Sequence, residues 1–476
     1  MLTRSPTSRR IRLTISLSIT FILLLCLTFS ILERYKSYHE HGGIVSSANM
    51  TDVRMKPTKA FERPLTDEEL LPVPPYWVNI TAAGSKWLNF KQVRFIEKLD
   101  YSSEKVKFKR FNGETSNRKN LDNSNNLQNN QKHFNNKQPK IGFLNGKTAL
   151  KSKKKSVHNF DYFDIRKCPL CLHKNGDNTF VSSPNDPQSN STPRDLILTM
   201  MTLMSMNAIT YIRTLRSTGC KATVVVLVDD IFHEKLTEYE EDVMKNCGMI
   251  MINIGKLLPP YDKHIYESRH VLFYAFLRKY RYSFDRVMMI DMADTVFQLD
   301  PFTTDFDSTT MVFTTEGYFN NNDPHNNTKW IKIADPMYNV HPSFYDDKIV
   351  INGGCFYGSM DGILYFYSIY LKLPCYNNFE IETIDQGYMN YLYHNGFFSH
   401  NGLNISLTFP GDYIVSARGH RFDPSPNQDG RFFMQDTINP PGLIHQYNRD
   451  RNVLEGVKKI CPALPGDQHP FPFFKA

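Results

Sequence analysis

Four short apolar runs separated by amphipathic stretches constrain this chain most. Asp195–Met201, Thr223–Val228, Met249–Ile254 and Val287–Ile290 read as strands. The run TVVVLV at Thr223–Val228 is too apolar for a half-exposed strand, so it belongs at the centre of a sheet covered on both faces. Between the strands, Asn207–Thr218, His233–Lys245 and Tyr266–Tyr280 have helical spacing. The last presents an apolar face of Val271, Leu272, Ala275 and Phe276 and ends in basic residues. A βαβαβαβ series with right-handed crossovers builds a mostly parallel sheet flanked by helices, so the expected class is α/β and Rossmann-like. Thr309–Thr315 reads as a fifth strand. Met360–Leu371 and Asp385–His394 read as helices among long loops. No GxGxxG opens the first helix and no GxxxxGK[ST] occurs, which argues against a plain dinucleotide binder, a P-loop enzyme and a lumenal sulfotransferase.

The fourth run continues as RVMMIDMADTVFQLDPF, Arg286 to Phe302, and places Asp291 and Asp294 at a strand end. Ligands of open α/β sheets collect just outside the carboxyl ends of the strands. Two acids there are costly unless a cation or a hydrogen-bond network uses them. A divalent metal holding a diphosphate is one such use. The structural alternative has Asp294 capping a turn and Asp291 taking backbone hydrogen bonds. Asp300, before Pro301, starts a turn.

Leu13 to Leu32 is apolar or hydroxylic and uncharged. As a helix it spans roughly 30 Å, the thickness of a bilayer's hydrocarbon core. Arg4, Arg9, Arg10 and Arg12 precede it, and the charges after it roughly cancel. The positive-inside rule then gives a cytosolic tail at 1–12, a signal anchor at 13–32, and a lumenal remainder. The apolar run is long for a cleaved signal peptide, and no small-x-small site follows it. Asn-x-Ser/Thr sequons start at Asn49, Asn79, Asn190, Asn326 and Asn404. Seven of the eight cysteines follow the anchor. In an oxidising lumen most should pair, leaving one free or bridging to a second copy in a disulfide-linked homo-oligomer. Cys168 and Cys171 form a CxxC with no second CxxC to complete a zinc site, so they read as disulfide partners.

The net charge of +8 invites a nucleic-acid reading. Tyr101 to Lys155, however, carries fourteen Lys/Arg against three Asp/Glu, a surplus larger than that of the whole chain. The rest is therefore slightly acidic, and no nucleic-acid partner is expected. The basic segment is rich in Asn, Gln, Lys and Ser and cannot bury enough surface to offset its ordering entropy. It reads as disordered, within a lumenal stem at 33–160. Pro57–Leu99, with its dispersed aromatics, receives no assignment. The globular domain takes 161–476, with the change in composition at about Pro193.

The order of strand–helix repeats, hhhDxxD-x-hF-x-x-DPF, Asn352-Gly353-Gly354, a helix opening Asp385-Gln386, and IHQY-x-R around His445 resembles the nucleotide-diphospho-sugar transferases of the GT-A fold. The resemblance covers about residues 195–452. It implies a metal-dependent glycosyltransferase, single-pass and type II, in the Golgi membrane, using a nucleotide-sugar donor and a glycan or glycoprotein acceptor. The family's acidic motif is usually D-x-D. Here Asp291 and Asp294 stand one residue further apart, so either both touch Mn²⁺ (or Mg²⁺), or one holds a ribose hydroxyl. His445 would be a third ligand, and Arg449 a phosphate contact or a surface charge. Asn352, Gly353, Gly354 and Gln386 would border the donor sugar. Asp385 would be the catalytic base of an inverting enzyme or a hydroxyl anchor of a retaining one, unless it only caps its helix. Thr199, Asp229 and Asp230 would lie near the nucleotide. Tyr318, Phe319, Trp330, Tyr338 and Tyr345 either stack on sugars or, for the most part, pack. The rivals are a non-catalytic glycan- or partner-binding protein on the same fold, and a lumenal hydrolase, whose two facing acids a single strand end fits poorly.

Overall fold

The computed structural model describes residues 65–88, 164–171, 191–202, 206–302, 311–323, 325–373, 376, 385–408, 414–423, 426, 430–435 and 437–473. All belong to one compact unit, Pro57–Ala476. The proposed anchor, the basic stem segment, Asn49, Asn190 and Cys375 lie outside the described residues. Among the described residues, no helix is long and apolar enough to cross a membrane.

The strands are β1 (Asp195–Met201), β2 (Thr223–Val228), β3 (Met249–Asn253), β4 (Arg286–Ile290), β5 (Thr295–Phe297), β6 (Met311–Phe319), β7 (Ile349–Ser359), β8 (Ser406–Leu407), β9 (Ile414–Ser416) and β10 (Leu443–His445). The helices are α1 (Pro75–Val78), α2 (Ala208–Ser217), α3 (Asp230–Lys235), α4 (Glu238–Asn246), α5 (Ile265–Lys279), α6 (Asn327–Ala334), α7 (Met360–Tyr370), α8 (Asp385–His394), α9 (Phe397–His400) and α10 (Arg451–Ile460). Seven strands form one sheet in the order β3-β2-β1-β4-β7-β6-β8. Strands β1 to β4 run parallel as expected, β7 is antiparallel to both neighbours, and β8 is parallel to β6. A second sheet has the order β5-β10-β9.

Strand alternation divides the apolar residues between two layers. Leu196, Leu198, Val287 and Met289 join the side chains of α5 and α7 on one face. Ile197, Val224, Val226, Met288 and Ile290 join those of α2 and α4 on the other. The unassigned segment 65–88 belongs to the first layer, where Leu70, Trp77, Ile80 and Trp87 are buried. Arg278 donates to Asp67 O, Tyr274 donates to Leu71 O, and Arg281 pairs with Asp67, so this segment clasps the outer side of α5. Each buried tryptophan contributes on the order of 3 kcal/mol.

Three expectations change. His233–Lys245 is two helices, because Thr237 and Glu240 form a capping box that starts α4 afresh. The fifth strand is seen at Met311–Phe319, running four residues past its expected end, with Thr309 and Thr310 outside the described residues. Asn352-Gly353-Gly354 follows no strand end but lies inside the eleven-residue β7. There the β6–β7 register shifts between the pairs Phe313–Phe356 and Thr315–Ile351, a bulge that re-aims the glycines. The CxxC cysteines take separate disulfides, Cys168–Cys247 and Cys171–Cys461, while Cys220 and Cys355 are buried thiols.

Candidate functional site

The carboxyl end of β4 is the centre of the site. Its ladder runs one residue past the strand, with Asp291 N–H donating to Gly354 O at 2.8 Å. The chain then makes a single 3₁₀ turn, Met292–Asp294, before β5. Strand β5 pairs with β10, setting Thr295 opposite His445. The late histidine is thereby brought to the acidic turn across 150 residues of chain.

Gly354 marks where these groups converge. A Cβ built there would lie 2.5 Å from Asp291 Oδ2 and 2.7 Å from His445 Nε2. Only glycine leaves room for both atoms at one point. The other edge of the imidazole defines its tautomer. Thr295 Oγ1 donates its single hydrogen to Asp291 O at 2.6 Å and lies 3.0 Å from His445 Nδ1. Nδ1 then donates to Oγ1, and Nε2 is the nitrogen turned toward the point above Gly354. Asp294 Oδ1 stands 3.5 Å from that same Nδ1. Asp294 therefore lies behind the ring, while Asp291 Oδ2 shares the point above Gly354 with Nε2.

The other oxygen of Asp291 is held by Arg269, a residue that the sequence shows only as part of a helix. Arg269 lies on the second turn of α5 and forks between two acids: Nη1 donates to Asp291 Oδ1 and Nη2 to Asp385 Oδ2. Nη2 also donates to Gly353 O at 3.0 Å. Burial works against the charge of Arg269, but Asp291 and Asp385 more than reverse it and hold its pKa above the ordinary guanidinium value. Neighbouring His270 Nε2 lies 3.0 Å from Asp385 Oδ2, and its Nδ1 lies 3.3 Å from the Tyr367 hydroxyl. Burial lowers the His270 pKa despite Asp385, so the ring is neutral, donates from Nε2 and accepts from Tyr367. Burial alone would raise the Asp385 pKa, but Arg269 and His270 hold it below the ordinary carboxylate value. Asp385 is thus a buried, ionised acid and a poor base at neutral pH.

The remaining candidates fall into two groups. Gln386 Oε1 accepts Gly353 N–H at 2.9 Å and its Nε2 donates to Asn327. Asn352 donates to buried Glu316 at 2.8 Å and accepts Gly354 N–H at 2.8 Å. Both amides brace the bulge from within. Thr199 is buried in β1. Asp229 caps α3 by accepting Phe232 N–H at 2.7 Å, and Asp230 accepts from Asn253 Nδ2 and Lys256 N–H. Asp300 makes the expected turn, accepting Phe302 N–H at 2.9 Å. Of the aromatics, Tyr345 is buried and stacked on Tyr338, whereas Phe319 is half exposed. Tyr266, one turn before Arg269, is 56% exposed with the Arg269 guanidinium over its ring. No periodic pattern distinguishes Arg269, His270 or Tyr266. The nearest signal was a basic and an aromatic residue one helical turn apart, near the start of the helix before the acidic strand.

Among the described residues, no three His, Cys, Asp or Glu side chains form a ready metal-binding group. The atoms that converge there, one carboxylate oxygen and one imidazole nitrogen over a glycine, are of the kinds that ligate a divalent cation. No family model matches the chain, and no curated protein matches it.

Proposed function

We propose that the chain is a metal-dependent glycosyltransferase with a GT-A catalytic domain, moving a sugar from a nucleoside-diphosphate sugar to a hydroxyl of a glycan or glycoprotein. One observation carries the reading: Asp291 Oδ2 and Nε2 of His445 converge on one point over Gly354. A carboxylate oxygen and a neutral imidazole nitrogen that converge in this way can hold a divalent cation between them. Asp291 and His445 would hold Mn²⁺ or Mg²⁺, with the Thr295 hydroxyl orienting the ring through Nδ1 and the Asp294 carboxylate close behind it. The cation, when bound, neutralises charge on the departing diphosphate.

The chain's own residues do the rest. Arg269 sets a second positive charge beside the same acids, fixed against Asp385, His270 and Gly353, and so needs no reorganisation when an anion arrives. Asp385, ionised and enclosed, suits a hydroxyl anchor better than a general base. Exposed Tyr266 offers a flat face for a sugar ring. The two disulfides fit an oxidising lumen, and the proposed anchor would make this a type II Golgi membrane protein.

The closure of Arg269 on Asp291, and the lack of a three-donor group among the described residues, favour one second reading: a non-catalytic glycan binder on the same scaffold. One screen separates the two. The full-length chain in detergent is melted with a panel of nucleotide-sugars, with and without Mn²⁺. A transferase gains stability from at least one donor only when Mn²⁺ is present. No Mn²⁺-dependent shift with any donor would sink the transferase reading.

A further inference from the structure

Asn207 stands between β1 and α2, far from the acidic turn in sequence, and has left-handed backbone with φ of 64°. A non-glycine residue is seldom held there, so the surroundings impose the conformation. Asn207 is fully buried, and every polar group it owns is bonded. Its N–H donates to His469 O at 2.7 Å, and its carbonyl accepts Tyr211 N–H at 2.8 Å. Its Nδ2 donates to Met292 O at 2.8 Å and to Thr295 O at 3.0 Å. Its Oδ1 accepts the Tyr447 hydroxyl at 2.8 Å.

These bonds reach both halves of the candidate cation site. The carbonyls of Met292 and Thr295 bracket Asp294, so two hydrogens of one amide clamp the turn that spaces the acids. Thr295 is also the residue whose hydroxyl joins Asp291 O to His445 Nδ1. Tyr447 follows His445 by two residues, just past β10. A side chain must donate twice and accept once to make this set. Aspartate cannot donate and alanine does neither.

We propose that Asn207 is a positioning residue for the cation site: it sets the acidic turn against the strand that carries His445, and so holds Asp291 Oδ2 and His445 Nε2 on one point. The role rests on the reading of Asp291 and His445 as cation ligands. Asn207 touches neither atom and acts through the backbone of the turn and through Tyr447.

The test is a titration of the full-length chain with Mn²⁺ alone, followed by calorimetry, alongside melting in EDTA. Asn207→Gly keeps the left-handed backbone and removes the clamp. Asn207→Asp keeps the acceptor but turns oxygens on two carbonyls. Tyr447→Phe removes one bond with little change of shape. The expected result is that wild type binds Mn²⁺, Asn207→Gly and Asn207→Asp bind it at least tenfold more weakly, and Tyr447→Phe a few-fold more weakly. Melting of the glycine and phenylalanine variants in EDTA should stay within a few degrees of wild type. If Asn207→Gly and Tyr447→Phe bind Mn²⁺ as wild type does, the positioning role is wrong and the cation site stands. If wild type does not bind Mn²⁺, the cation reading fails and takes this role with it.

Discussion

Two aspartate pairs end parallel strands at the same edge of the sheet, and they behave differently. At β2, Asp229 and Asp230 bond to neutral N–H donors: Phe232 N–H, Asn253 Nδ2 and Lys256 N–H. At β4, Asp291 and Asp294 meet ionisable side chains: Arg269 from α5 and His445 from β10. Neutral donors satisfy an acid without bringing a second charge to it. An acid whose partners are a guanidinium and an imidazole sits in a field that an anion or a cation can enter. Position at a strand end is therefore a weak signal of function, and the identity of the partner is the stronger one.

The comparison can be broken in three ways. The largest effect is expected at Arg269. Arg269→Met leaves Asp291 and buried Asp385 without their shared cation, and chemical denaturation should show a loss of about 3–5 kcal/mol. A loss below about 1 kcal/mol would mean that the fork contributes little to the β4 end. The next test sets the strand ends side by side. If the chain is the proposed transferase, Asp291→Asn should lower transfer at least about a hundredfold with folding retained. Asp229→Ala should cost about 1 kcal/mol of stability as a lost cap, with transfer by the folded fraction unchanged. A rise in KM for the nucleotide-sugar in Asp229→Ala would return Asp229 to the binding site and collapse the contrast.

The smallest effect extends the contrast to a third acid, Asp467. One of its oxygens accepts His469 N–H, and the other is buried without a hydrogen-bond partner. Burial, with Glu240 nearby, pushes its pKa up to about 6. The folded state then holds this proton more tightly than the unfolded chain. Its stabilising contribution is complete below about pH 4 and is lost as pH rises through about 6. Asp467→Asn should match wild type in melting temperature below that window and exceed it by a few degrees above pH 6. Equal melting at both pH values would show that Asp467 is satisfied after all.

Much of the sheet was legible because strands and helices announce themselves through local period. The apolar runs became β1 to β4, and the helix expected at Asp385–His394 occurs at those residues. The break between α3 and α4 was passed over, although Thr237 and Glu240 spell a capping box. The strand through Asn352-Gly353-Gly354 was not. Its glycines carry no strand tendency of their own, and hydrogen bonds from β4 and β6 on either side keep the backbone extended past them.

The sequence by itself determined the α/β order, two acids at the end of the fourth strand, a histidine late in the chain, and cysteines suited to pairing. Tertiary structure alone decided which atoms meet. It placed His445 Nε2 and Asp291 Oδ2 over Gly354, moved Asp294 behind the ring, and brought Arg269 between Asp291 and Asp385, 116 residues from the latter. The reason is physical. Strand and helix tendencies arise from neighbours a few residues away, whereas burial, hydrogen-bond satisfaction and charge compensation arise from whatever the fold packs alongside. A candidate site is built from the second kind of interaction, so its members appear in the sequence without their partners.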